Sequence, residues 1–76
     1  MTVVNPDNFN SACQEAMVAV LDAIAAAGNE RRGLLTTAKR AVARALHDAH
    51  SGAEWSFADQ LRRGIKDVEA QMQDAA

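Results

Sequence analysis

The chain has no tyrosine, one tryptophan and two phenylalanines. None of these rings is interleaved with the basic residues, so a surface that stacks successive bases is not written here. One cysteine, Cys13, excludes an internal disulfide and suits a reducing compartment, where a lone thiol behaves as a small buried hydrophobe. The glycines are too few and too scattered to form a phosphate-cradling loop. No stretch approaches the roughly 20 apolar residues that span a bilayer. Met17–Gly28 is apolar and followed by small residues, but no basic segment precedes it and Asp22 interrupts it. It is therefore not read as a secretory signal, and a cytoplasmic location is expected. A formal net charge of -2 does not describe a chain built as a whole to seek nucleic acid or an anionic membrane.

What is present is alanine, the commonest residue, which inflates a hydrophobic content of 49% while burying little area. Large apolar side chains are few for 76 residues, and a single core near this size is marginal on its own. One domain covering 1–76 is expected, and self-association with it.

Nothing alternates with period two, whereas three segments repeat at helical spacing. The expected helices cover about 6–27, 30–50 and 56–74, with turns at Gly28–Gly33 and Ser51–Ala53. Asn5-Pro6-Asp7 reads as the first start, after an extended lead Met1–Val4. Gly28 reads as the first stop, and Ser56-x-x-Asp59 as the third cap. The fold class expected is all-α: a small antiparallel three-helix bundle with heptad-like packing, oligomeric, with the first helix at its centre.

That first helix carries two stripes. Phe9, Cys13, Met17, Val20, Leu21 and Ile24 form a large-residue face, expected to meet the other two helices. Ala12, Ala16, Ala19, Ala23 and Ala26 recur at heptad-like spacing, and this alanine seam is the candidate for meeting another copy. A plainer reading also stands, in which alanine is merely a good helix former. In the second helix Leu35, Ala38, Val42, Ala45 and Ala49 form the stripe, and in the third Ala58, Leu61, Ile65, Val68, Met72 and Ala75.

Charge is unevenly distributed: the first and third segments are acidic and the second is basic. Arg32, Lys39, Arg40 and Arg44 fall opposite the second helix's apolar stripe, joined by His47 and His50. This face is a candidate for binding a phosphate or an acidic partner. Equally, its cations could simply offset acidic neighbouring helices. A helix-turn-helix centred on Gly52 or Gly33 places polar or helix-breaking residues where that motif needs packing, and is set aside. His47 and His50 lack a third ligand for a metal. No nucleophile sits beside a base and no paired carboxylates mark a cleft, so no catalysis and no cofactor are expected. Trp55 and Phe57 are expected to plug the end of the bundle; an exposed Trp55 would instead be a candidate anchor in a partner's pocket.

The expected function is therefore that of a small non-catalytic interaction module, an adaptor, regulator or inhibitor binding a partner protein as a homo-oligomer. The alternative is a phosphate, nucleotide or nucleic-acid binder using Arg32, Lys39, Arg40 and Arg44. A third reading is a structural subunit of a larger assembly. No membrane partner is expected.

Overall fold

A computed structural model of the chain describes the backbone of residues 6–74 and the side chains of residues 8–71. Three helices make up nearly all of it: α1 (Pro6–Ala25), α2 (Gly28–Asp48) and α3 (Gly52–Asp74). The expected lead Met1–Val4, the Asn5 cap, the Met72 side chain and Ala75 lie outside the described residues.

The turn between α1 and α2 is only Ala26–Ala27. Gly28 adopts φ 63°, the left-handed conformation that glycine reaches without a Cβ penalty. α1 has no basic residue in its own last turn. The Arg31 guanidinium compensates from the start of α2, its Nε donating to the Ala23 carbonyl at 3.1 Å. That carbonyl also accepts the Ala26 N–H at 3.2 Å, so the end of α1 is tied both by its own last turn and by α2.

α3 begins four residues earlier than the Ser56 cap implied. Ser51 is the residue that caps it: its hydroxyl accepts the Glu54 N–H at 3.1 Å, and the Glu54 carboxylate accepts the His50 N–H at 2.8 Å. The Trp55 N–H to Ser51 carbonyl bond, 3.0 Å, closes the first turn. The sequence holds two capping patterns, Ser51-x-x-Glu54 and Ser56-x-x-Asp59, and the earlier one wins. Its glutamate is long enough to reach back to a backbone donor, the His50 N–H, one residue before the donor used in a regular capping box. Trp55 and Phe57 accordingly ride on the first turns of α3 instead of plugging the bundle end, and both are exposed.

The helices form a small all-α bundle, each antiparallel to the one before. α2, not α1, is the central element: its stripe of Leu35, Ala38, Ala41, Val42 and Ala45 is buried by both neighbours. α1 and α3 contact each other far less extensively than either contacts α2. At one end Phe9, Ala12 and Cys13 of α1 meet Ala45 of α2 and Ala58 of α3. Further along, Ala16, Ala19 and Ala23 meet Leu35, Ala38, Ala41 and Val42, with Ile65 closing the cluster from α3.

The alanine seam is thus used inside the chain. Ala12, Ala16, Ala19 and Ala23 are all buried, while Ala26 is half-buried in the turn. α2 supplies the matching small residues, Ala38, Ala41 and Ala45, at the same spacing. Small side chains on both helices allow the closest approach of two backbones, and close approach maximises dispersion contacts. This corrects the expectation that the seam meets another copy. It also reverses the fate of the large-residue face, whose outer half remains uncovered: Met17 is 40%, Ile24 52% and Leu21 66% exposed. No large side chain among the described residues is fully buried.

Candidate functional site

The basic face is built on the outer side of α2, where the helical repeat places Arg32, Thr36, Arg40 and His47 in one line. The other two candidate cations leave that line. Lys39 leans toward α3 and pairs with Glu69, and Arg44 leans toward α1 and pairs with Glu15. Half of the proposed site is therefore spent on latching α2 to its neighbours. Arg32 and Arg40 are the candidate cations with no ion pair among the described residues. The Arg32 carbonyl accepts the Thr36 hydroxyl at 3.1 Å, so the threonine is turned back onto the helix.

A second charged cluster was not anticipated. Asp59 is only 6% exposed. Arg62 Nε donates to its Oδ1 at 3.0 Å and Arg63 Nε to its Oδ2 at 3.0 Å. The hydrogen bond from Arg62 holds the carboxyl below its ordinary value; burial pushes the other way and the charge of Arg63 assists the lowering. The cluster is an internal lock within α3 with all its oxygens occupied. At Cys13, burial pushes the thiol up and the nearby Glu54 charge adds to this, so the protonated, unreactive form is favoured. Among the described residues no three histidine, cysteine, aspartate or glutamate side chains converge as a metal ion would require.

Trp55 is 53% exposed, at the position where an anchor for a partner was considered. It stands on α3 within a turn of Phe57, which is exposed as well.

An apolar groove of about 300 Å³ runs between α1 and α3. Met17, Val20 and Leu21 form one wall; Leu61, Ile65 and Val68 form the other, with Gly64 as a notch in the rim. None of these residues is charged. Because α1 and α3 both pack on the inner face of α2, the groove opens away from the basic line of Arg32 and Arg40. A larger concavity, about 430 Å³, lies between α1 and α2; its lining is mixed, with Glu15 and Asp22 beside Val18, Ala19 and Leu34.

The sequence reading found the residues of the apolar groove but assigned them to the core. The signal for the exchange was present: α2 carries alanine at 38, 41 and 45, a seam matching that of α1. Comparison with protein-family models, curated proteins and solved structures finds no match to the chain. What the fold defines is a small all-α bundle, and among the described residues no helix is long and apolar enough to cross a membrane.

Proposed function

We propose that the chain is a small non-catalytic interaction module that works by seating the apolar face of α1 and α3 against a protein partner. The observation that carries this is the inverted placement of its apolar residues. Alanines dominate the buried set, whereas Met17, Leu21 and Ile24 stay outside around an uncharged groove. An exposed apolar patch rimmed by polar residues is the usual mark of a binding surface. Finishing the burial of these three would contribute, for each, about half of the roughly 1.5–3 kcal/mol that complete burial of such a side chain gives. A few such residues suffice to anchor an interface.

The phosphate-binding alternative is weakened by Lys39 and Arg44, which are paired with Glu69 and Glu15. Two remaining cations on an open helix surface make a poor cradle. The test of the proposed function is to isolate the tagged chain and its Leu21→Glu variant from cells that naturally produce it. Proteins, including untagged copies of the chain, held by the parent and released by the variant are expected. Equal recovery with both would refute the assignment of binding to this face.

A further inference from the structure

We infer that the occupant of the α1–α3 groove is a second copy of this chain, docked about a two-fold axis through the same face. The inference rests on the interaction reading above and names its partner.

Two matched ridges run along the groove, which Met17 and Leu21 of one and Leu61, Gly64 and Val68 of the other line directly. On α1, Asn10, Gln14, Met17, Leu21 and Ile24 follow one another at intervals of 4, 3, 4 and 3, and all five are exposed. On α3, Phe57, Leu61, Gly64, Val68 and Gln71 repeat the same intervals, with Leu61 and Val68 half-buried and the others exposed. This is the spacing of a helix–helix seam. Neither ridge contains a charged side chain, although 24% of the chain is charged. An acidic or basic partner would find nothing here to pair with and would have its own charge desolvated. The face calls for an apolar helical ridge without charge. The chain carries one, the α1 ridge, directly beside the groove that would receive it. When ridge and groove lie on one face, a two-fold axis satisfies both copies at once, residue i meeting j and j meeting i.

Gly64 points the same way. Glycine in a helix interior is unfavourable, and a Cβ added at Gly64 would meet nothing within 4 Å in the chain itself. The chain's own packing therefore does not require it. Gly33 on α2 is equally open, but Gly64 alone lies on the groove wall, where the missing Cβ lets a helix from outside approach closely.

The area is that of a reversible dimer. The ridge from Asn10 to Ile24 spans fifteen residues, whose fourteen steps extend about 21 Å at 1.5 Å each. Two helices side by side, 8–10 Å apart, present a face about 20 Å wide. Each copy thus offers roughly 400 Å² in plan and more with side-chain relief, so the total approaches the about 1,200 Å² at which specific interfaces begin. Area does not fix affinity, and a dissociation constant on the order of micromolar, the weak end of the range that such interfaces span, is the value to test.

The experiment is sedimentation and light scattering of the full chain from about 5 to 500 µM, a range that brackets a micromolar dissociation constant. The parent is expected to rise from 8.1 kDa to twice that mass. Leu21→Glu and Gly64→Glu, one on each ridge, are expected to remain at one chain mass with unchanged helical circular dichroism, both sites being exposed in the single chain. Arg40→Glu, a larger charge change on the outer face of α2, is expected to dimerise like the parent. A parent dimer that survives both glutamate variants overturns the assignment of the face, and a mass beyond two chains overturns the closed two-fold form. A parent that stays at one chain mass overturns the second copy as occupant. A hydrophobic dye then separates the two readings: fluorescence enhanced by the parent and lost in Leu21→Glu keeps the binding face for another protein, whereas no enhancement removes both.

Discussion

Replacing Ala19 by leucine is the most direct probe of the α1–α2 seam. Ala19 is 5% exposed and packs in the cluster formed with Ala38, Ala41 and Val42 of α2. Leucine adds three carbons between helices held close by small residues on both sides, and overpacking of this kind costs about 1–3 kcal/mol. Folded domains hold about 0.05–0.15 kcal/mol per residue, so the 76 residues here hold about 4–11 kcal/mol. The loss is thus a large fraction of the total. At about 4–8 °C per kcal/mol for a domain of this size, the melting temperature should fall by roughly 5–20 °C. Ala43→Leu is the control: Ala43 lies on the exposed side of α2, where a substitution stays within about 0.5 kcal/mol. Thermal circular dichroism of both variants, in the Leu21→Glu background at low concentration, keeps assembly out of the comparison. Equal melting of the two would refute the close seam. Had Ala19 faced another copy, Ala19→Leu would lower the mass of the assembly and leave the single chain's melting unchanged.

Ser51→Ala should destabilise the chain by about 1 kcal/mol, the usual worth of an N-cap, and Ser56→Ala by less than about 0.5 kcal/mol; urea titration showing the reverse order would restore the later start of α3. The Asp59 carboxyl lies below its ordinary 3.8, so its contribution is present above that pH and is lost as pH falls through the lowered value. Asp59→Asn should therefore melt lower than the parent at neutral pH, with the gap closing under acid; a gap that is constant down to pH ~2 would sink the linkage argument. Gly64→Ala should stabilise the single chain by about 0.5–1 kcal/mol, because the added methyl group meets open space and relieves the glycine penalty. Loss of stability on thermal melting would mean that the notch is needed by the chain's own fold.

The helical class and three-helix layout were legible because the apolar spacing in each segment never departs from the helical period. The expected 6–27 and the observed Pro6–Ala25 differ by two alanines that the turn needed. The start of α3 was missed because Ser51-x-x-Glu54 and Ser56-x-x-Asp59 are the same kind of signal, and what separates them is the longer glutamate, which reaches back to the His50 N–H. The contents of the core were harder. Hydrophobicity alone ranks Leu21 and Ile24 above Ala16 and Ala19 as core residues. What decides the outcome is a pairwise property, the match of small residues on α1 with those on α2, and a pattern read one helix at a time does not contain it. The exposed ridges were invisible for the same reason, since they are what remains after α1 and α2 have chosen each other.

The uneven charge has a use in this arrangement that needs no ligand. Acidic α1 and acidic α3 flank basic α2, and each flank is latched once, Glu15 to Arg44 and Glu69 to Lys39. Both pairs are substantially exposed, and exposed pairs contribute only about 0–1 kcal/mol each, so their importance is not in the total stability. Their effect is on which helix becomes central. Had α1 taken the middle position, as its apolar circumference invites, α3 would lie against a helix carrying no lysine or arginine, and Glu69 would meet like charge or water instead of Lys39. Like-charge juxtaposition disfavours that arrangement, and the alanine match of α1 with α2 favours the observed one. With α2 central, Lys39 and Arg44 are used at the flanks, and the uncharged ridges of α1 and α3 face outward with apolar side chains. The same charge pattern that selects the bundle's order therefore also clears charge from the face through which two copies would meet.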